Sequence, residues 1–208
     1  MISVPGLILA AGTSIRMGSP KPLLTIRGST LLNRILREAI HSELERVVLV
    51  LGFEASRIRE SLEFPHYGPK LTIVENTAYI KGMSSSIIAG LSQVEASYDH
   101  VLIILADMPF ITCDLINRFI RRYADSGLPL GSVTQGGKRS HPVIISRRFY
   151  QDLHALKGDE GARRLFSKQF DQICLYEPEE TYNDMDIDTP EDYGSFLESL
   201  GKDGGPKE

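Results

Sequence analysis

Cysteine and long hydrophobic runs are both scarce in this 208-residue chain. The two cysteines, Cys113 and Cys174, lie far apart and outside any CxxC pair, which excludes a disulfide framework and a zinc site of recognisable spacing. No apolar run approaches the roughly 18 residues that cross a bilayer, and the apolar start lacks the basic region of a signal peptide. These absences predict a cytoplasmic protein that does not act at a membrane.

Charge of one sign is also missing. Lysine and arginine total 23 against 27 aspartate and glutamate, which gives a net charge of -4. A chain of this balance has no overall basic field to attract nucleic acid, so no nucleic-acid partner is expected. Any anion that the protein binds must therefore meet a local site.

What the chain does contain is a regular alternation of short apolar runs and amphipathic stretches. Apolar runs at 4–10, 46–51, 71–74 and 101–106 predict strands buried on both faces, and the segments 30–42, 55–62, 83–96 and 112–125 predict helices between them. Such alternation is typical of βαβ units, so the sequence predicts an α/β fold with a mostly parallel sheet flanked by helices.

The pattern changes after residue 127 but indicates no second domain. The sequence predicts a hairpin of 131–135 and 142–146, helices at 147–156 and 161–169, a strand at 173–176 and a closing helix at 190–200. We therefore expect one domain over 1–200 and a disordered polar tail over 201–208.

The loop that leaves the first strand combines small residues with two cations, Arg16 and Lys21. Small residues let backbone N–H groups approach a ligand, and open α/β sheets bind ligands at this end of a strand. The pattern favours phosphate binding, although it is neither a Walker A loop nor a GxGxxG motif. A glycine-rich turn with two solvated cations is the alternative. The small residues begin at the end of the strand: Leu9, Ala10, Ala11 and Gly12.

Aspartates follow a buried strand and precede the last helix. Asp107 comes directly after the apolar run 101–106, where a carboxylate can hold Mg²⁺, although it can also brace the turn before Pro109. Asp186 and Asp188 alternate on one side of an extended segment and are candidates for a second metal ligand. Capping of the following helix explains this acidic segment almost as well.

Three further motifs are candidates for ligand contact. The segment 81–87 places Gly82 and three hydroxyls, Ser84 among them, at a helix start, which is more than one N-cap requires, although simple capping is the alternative. His141 stands before Pro142, where a strand-edge role explains it equally well. Asp159 and the neighbouring glutamate either contact a ligand or favour the following helix N-terminus.

Six segments, taken in order, resemble the motifs of the MobA-related nucleotidyltransferases. The loop from Leu9 to Lys21 is similar to the pattern LAAGxSxRMGxxK, and the other five matches follow at 82–86, 105–109, 141–143, 158–163 and 186–192. Within that superfamily the chain most resembles the molybdenum cofactor cytidylyltransferases, which join CMP from CTP to molybdopterin and release pyrophosphate. The resemblance implies a single-domain Rossmann-like fold of the nucleotide-diphospho-sugar transferase type.

The resemblance also implies roles for individual residues. Arg16, Lys21 and Asp107 would be catalytic, with both cations on the triphosphate. Asp107 and Asp188 would hold Mg²⁺ or Mn²⁺, with Asp186 in reserve as the second ligand. The remaining implied contacts are Leu9, Ala10, Ala11, Gly12, Gly82 and Ser84 to the nucleotide, and His141, Asp159 and Arg163 to the acceptor.

The identity of the base can be argued from Ala11. Guanylyltransferase relatives typically read LAGG at this place, so the extra methyl favours a pyrimidine, and CTP is expected while GTP stays open. Other hypotheses are a guanylyltransferase of the same cofactor, a transferase acting on a sugar phosphate, and a non-catalytic protein that binds the cofactor. Handover of the product to a molybdenum hydroxylase is a further expectation from the resemblance.

Overall fold

Seven strands of the described chain form one sheet. The structure is a computed structural model and describes residues 2–13, 17–63, 67–178 and 182–202. The sheet strands are β1 (Gly6–Ala10), β4 (Val47–Leu51), β5 (Leu71–Glu75), β6 (His100–Leu105), β7 (Leu130–Gln135), β8 (Lys138–Ser146) and β9 (Ile173–Tyr176). A small separate hairpin consists of β2 (Thr25–Ile26) and β3 (Ser29–Thr30), which the sequence analysis did not predict.

The sheet is parallel except at one strand. Its order is β5-β4-β1-β6-β8-β7-β9, and β8 runs antiparallel to both of its neighbours. The pairs β1–β4, β4–β5, β1–β6 and β7–β9 are all parallel. The predicted mostly parallel α/β fold is therefore confirmed, and the carboxyl ends of β1 and β6 lie side by side.

Helices cover both faces of this sheet. They are α1 (Leu31–His41), α2 (Ala55–Glu60), α3 (Met83–Leu91), α4 (Cys113–Ser126), α5 (Tyr150–His154), α6 (Arg163–Ser167) and α7 (Pro190–Lys202). Because side chains alternate along a strand, Ile8 faces a core formed with α1, α2, α4 and α7, whereas Leu7 faces one formed with α3, α5 and α6. None of the helices in the described residues is long and apolar enough to cross a membrane.

Two helix starts follow ordinary capping rules. The Thr30 hydroxyl accepts the Asn33 N–H at 3.1 Å before α1, and Thr112 accepts the Leu115 N–H at 3.1 Å before α4. The last helix continues to Lys202, two residues further than predicted, and residues 203–208 lie outside the described chain.

Strand β8 is longer than predicted because it contains an irregularity. Its pairing with β7 shifts between Ser132, opposite Val143, and Val133, opposite Ser140, so His141 and Pro142 form a bulge. Proline has no N–H to donate to a ladder and is accommodated at such a bulge. The sequence analysis read Pro142 as a strand start, whereas the strand begins four residues earlier at Lys138.

Burial at the centre of the sheet should dominate stability. Ile8 on β1 has no exposed surface, whereas Ile80 is 82% exposed. We expect Ile8→Ala to lower the free energy of unfolding by about 2–5 kcal/mol because it leaves a cavity in the core. Ile80→Ala removes the same atoms from the surface and should change that free energy by less than about 0.5 kcal/mol. Urea denaturation of the two variants measures the difference, and equal losses would contradict the burial described here.

Candidate active site

A cavity of about 550 Å³ opens at the carboxyl ends of β1 and β6. This is the end of an open parallel sheet at which ligands are expected. The cavity brings together most of the residues that the sequence analysis singled out for nucleotide binding, whereas Ser84, His141, Arg163 and Asp188 are not part of its lining. Arg16 lies outside the described residues. Its predicted lining residues are Leu9, Ala10, Ala11, Gly12, Lys21, Gly82, Asp107 and Asp159.

Lys21 connects two carboxylates that are distant in sequence. Its Nζ donates to Asp107 Oδ2 at 3.1 Å and also to Asp188 Oδ1. The Lys21 side chain is only 14% exposed. Burial acts to lower the Lys21 pKa, but hydrogen bonds and charge from Asp188 and Asp107 outweigh it, so that the pKa is raised above its usual value. The ammonium therefore stays charged and fixed between the two carboxylates.

The turn that contains Lys21 is built by proline. Lys21–Leu23 forms a short 3₁₀ helix in which the Leu23 N–H bonds the Pro20 carbonyl at 2.9 Å, and Pro22 is buried. Proline favours the start of such a turn because its φ angle is already helical. The local sequence thus fixes where the Lys21 backbone meets the cavity.

The segment before α7 brings Asp188 to the site through neutral contacts. The Ile187 N–H donates to the Asp107 carbonyl at 3.1 Å, and the Ile187 side chain is fully buried. Asp192 Oδ2 then accepts the N–H groups of Asp188 and Thr189 at 3.1 and 2.8 Å. Asp192 and Thr189 thus perform the capping that was the alternative reading, and the Asp188 side chain is left to meet Lys21.

Asp186 adds a third carboxylate near the same point. Partial desolvation, together with the charges of Asp107 and Asp188, raises the pKa of Asp186 to about 7. Lys21 acts in the opposite direction but does not cancel the effect. The site therefore holds more negative charge than its single described cation neutralises.

These residues fit a divalent cation. Asp107 Oδ1 is buried and has no hydrogen-bond partner within the described chain, so one lone-pair acceptor of the site is unsatisfied. The described ranges contain no preformed group of three or more His, Cys, Asp or Glu ligands. Magnesium is usually held by one or two carboxylates together with substrate phosphates. The donor set suits a metal whose coordination the substrate completes.

The start of α3 interlocks with the loop at 158–161. Gly82 has φ of 94°, and a Cβ atom there would lie 2.4 Å from the Gly158 carbonyl carbon. The Met83 N–H donates to Asp159 Oδ1 at 3.1 Å, and the Ser84 N–H donates to the Gly158 carbonyl at 3.0 Å. Gly82 is thus required for close packing of two loops, and Asp159 caps α3 from a distance.

The surplus hydroxyls of α3 are largely occupied by a residue that the sequence analysis missed. Asn76 Nδ2 donates to Ser85 Oγ at 2.8 Å and to Ser86 Oγ at 3.1 Å. Ser86 lines the cavity. The available signal was a polar residue directly after β5, at the same sheet edge as Asp107. Asn76 ties this edge to the helix that forms one wall of the cavity.

His141 lies in the β8 bulge. The Tyr182 hydroxyl donates to the His141 carbonyl at 2.8 Å. Burial lowers the pKa of the His141 imidazole, against smaller raising effects from a hydrogen bond to the Ile103 carbonyl and from Asp107. Arg163 begins α6 on the exposed surface. Of these two predicted acceptor contacts, His141 is therefore the one that the structure places within electrostatic reach of Asp107.

Comparison with known proteins identifies the family of this site. A model of the MobA-like NTP transferase domain matches residues 6–173. The chain belongs to this family. It is similar to the purine catabolism protein PucB of Bacillus subtilis, at 31% identity over 90% of this chain and 93% of that protein. It is also similar to the molybdenum cofactor cytidylyltransferase of Escherichia coli, at 26% identity over 93% of this chain and 95% of that protein.

Solved structures agree with this assignment. The MobA-like domain matches the Rv0371c homologue of Mycobacterium sp. strain JC1 with a TM-score of 0.82 and 28% identity, over 96% of this chain and 97% of that chain. A manganese complex of Rv0371C from Mycobacterium tuberculosis matches with a TM-score of 0.78 and 25% identity, over 95% of this chain and 99% of that chain. The predicted membership in the MobA-related nucleotidyltransferases is confirmed.

The packing of Gly82 predicts a large effect of a single methyl group. In the MobA-like domain, Gly82→Ala should lower the free energy of unfolding by about 1–3 kcal/mol because both backbone strain and overlap with Gly158 oppose it. Gly12→Ala is the matched control, since its Cβ would have no neighbour within 4 Å. Chemical denaturation separates the two variants. A stable Gly82→Ala protein would contradict the interlocked loops.

The raised pKa of Asp186 predicts a pH-dependent gain from its amide. Between about pH 4 and 7 the unfolded chain has released this proton while the folded chain retains it, so wild-type stability falls as pH rises through that window. Asp186→Asn avoids the charge, and its melting temperature should exceed that of wild type more at pH 8 than at pH 5. Calorimetry in metal-free buffer tests this, with the exposed Asp171→Asn as control; a pH-independent difference would contradict the raised pKa.

Proposed function

We propose that this chain is a nucleotidyltransferase that joins CMP from CTP to molybdopterin and releases pyrophosphate. The observation that supports it most is the bridge from Lys21 to Asp107 and Asp188 at the edge of a nucleotide-sized cavity. A fixed ammonium beside carboxylates is suited to a metal-bound triphosphate. The similarity to a cytidylyltransferase over nearly the whole chain supports the choice of substrates. The proposed place of action is the cytoplasm.

The proposed reaction is an in-line attack by the phosphate oxygen of molybdopterin on the α-phosphorus of CTP. The new P–O bond forms as the bond to pyrophosphate breaks, with no covalent enzyme intermediate. Because the attacking oxygen is already an anion, the protein needs no general base. Catalysis then consists of positioning the two substrates and stabilising the charge that develops on the leaving group.

Each described residue has a part in this scheme. Backbone groups of residues 9–13 would contact the nucleotide, and Lys21, with Arg16, would contact the triphosphate. Asp107 and Asp188 would hold Mg²⁺ or Mn²⁺. When bound, such a cation neutralises phosphate charge and orients the triphosphate. Lys21 already lies between the two carboxylates, so a short side-chain movement is enough to transfer its charge to a phosphate.

The choice of base depends on sequence resemblance more than on the Ala11 methyl group. Ala11 is buried, and its Cβ atom lies against Gly52, where an added methyl would be 2.8 Å away. The methyl thus faces the protein, and the preference for CTP over GTP is a proposal that a nucleotide panel must test. We further propose that the product passes to a molybdenum hydroxylase.

Pyrophosphate release tests the proposed function directly. Purified protein with Mg²⁺ and molybdopterin is assayed with CTP, GTP, ATP and UTP in turn, and with molybdopterin omitted. Release that depends on molybdopterin and on CTP is expected. Preference for GTP would indicate the guanylyltransferase, and no release with any nucleotide would favour another acceptor or a non-catalytic binding protein.

Two variants test the roles of the bridge. Asp107→Asn and Lys21→Met should each lower the rate of pyrophosphate release by about 100-fold or more, because each removes a preorganised charge from the site. Lys70→Met is the matched lysine control, since Lys70 bonds the carbonyls of Ile40 and Ser42 instead. Circular dichroism confirms folding of each variant. Unchanged turnover in Asp107→Asn would remove Asp107 from the metal site.

A further inference from the structure

Two buried acceptor atoms near the bridge have no partner. Asp107 Oδ1 and His141 Nδ1 each lack a hydrogen bond in the described part of the chain. The other oxygen of Asp107 accepts from Lys21 at 3.1 Å. Buried polar groups without partners are rare in folded proteins, so a pair of them at one site indicates a missing ligand.

The hydrogen bonds of His141 determine its tautomer. The ring bonds the Ile103 carbonyl, and Nδ1 has no partner, so the donated hydrogen is on Nε2. Burial disfavours the charged ring. The neutral imidazole therefore presents an unshared electron pair at Nδ1. Histidines that bind metals almost always donate their other N–H to a carbonyl, carboxylate or water in this way.

The fold holds His141 where Asp107 can share a ligand with it. Ile103, whose carbonyl fixes the ring, lies four residues before Asp107 at the end of β6. The charge of Asp107 also acts on the His141 ring, which shows that the two side chains are near neighbours. The bulge at His141 and Pro142 and the hydrogen bond from Tyr182 position this part of β8. Bulges often re-aim a side chain beside an active site.

The charges around this point favour a cation over a hydrogen-bond donor. Asp107, Asp186 and Asp188 act on one another electrostatically, and Lys21 is the described cation among them. A neutral donor would satisfy the two unpartnered atoms but leave the excess negative charge. A divalent metal satisfies both requirements. Lys21 can retain Asp107 Oδ2, because the unpartnered oxygen is the other one.

We propose that His141 Nδ1 and Asp107 Oδ1 bind the divalent metal together, and that the imidazole nitrogen biases the site toward Mn²⁺ over Mg²⁺. The inference extends the proposed function, since it adds a nitrogen ligand to the same carboxylate site. Magnesium prefers oxygen ligands, whereas imidazole is a good ligand for transition metals. Loss of the nitrogen should therefore reduce Mn²⁺ affinity more than Mg²⁺ affinity.

Pulsed electron paramagnetic resonance of bound Mn²⁺ detects a coordinated nitrogen without any turnover. Protein labelled with ¹⁵N only in histidine is loaded with Mn²⁺ alone, and then with Mn²⁺ and a non-hydrolysable CTP analogue whose nitrogens are ¹⁴N. We expect a ¹⁵N coupling typical of a directly bound imidazole. The label distinguishes the protein nitrogen from those of the base, and this measurement needs no variant.

Variants then assign the nitrogen. His141→Gln should abolish the ¹⁵N coupling and weaken Mn²⁺ binding by about 10-fold or more, with a smaller loss for Mg²⁺ measured by competition. His154→Gln is the control, since His154 pairs with Glu95 on the surface and should leave both readouts unchanged. Asp107→Asn should weaken Mn²⁺ binding, which places the observed ion at this site.

Three results would overturn the proposal: no ¹⁵N coupling for an ion whose binding Asp107→Asn weakens, a coupling that survives in His141→Gln, or no Mn²⁺ binding with or without the nucleotide analogue. The first would mean that Nδ1 accepts a hydrogen bond from a substrate instead. Metal binding is measured separately from pyrophosphate release. A protein that shows the histidine coupling but transfers no nucleotide would therefore refute the proposed function and leave the ligand assignment intact.

Discussion

One ammonium among three carboxylates is the interaction on which this site depends. Lys21, Asp107 and Asp188 come from three distant parts of the chain: the loop after β1, the end of β6 and the segment before α7. Removing such charges from water is costly, and their mutual attraction offsets the cost only if each is held in place. The parallel sheet provides that placement, because β1 and β6 are neighbours whose carboxyl ends meet at one edge.

Neutral contacts hold these charges together. The backbone bond from Ile187 to Asp107, the burial of Ile187 and the capping by Asp192 fix the acidic segment without using the carboxylate of Asp188. On the opposite wall, Asn76 and the interlocked Gly82 fix the start of α3. The functional side chains are thus free for ligands because other residues satisfy the backbone around them. Preorganisation of this kind is what electrostatic catalysis requires.

The sequence predicted the parts of this structure that local patterns determine. Strands β1, β4, β5 and β6 are continuous apolar runs, because both of their faces are buried, and this signal does not depend on distant residues. The roles of Gly82 and Asp159 could not be predicted in the same way, since each depends on a contact about 76 positions away. The bulge at Pro142 and the network of Asn76 likewise depend on neighbouring strands and helices. Motif order located the cavity, whereas only tertiary packing distinguishes a residue that faces a ligand from one that supports the wall.

The site is also a place where the fold gives up stability. A carboxylate whose pKa is raised to about 7 and two buried acceptors without partners each make the folded state less stable than it would be with neutral, well-packed side chains. Nothing in the packing of β6 or β8 requires these groups, since the core beneath them is apolar. A bound cation with its phosphates would relieve both the excess charge and the unsatisfied lone pairs. The cost in the free protein therefore becomes binding free energy for the ligand, and stability and ligand affinity at this edge of the sheet should change in opposite directions.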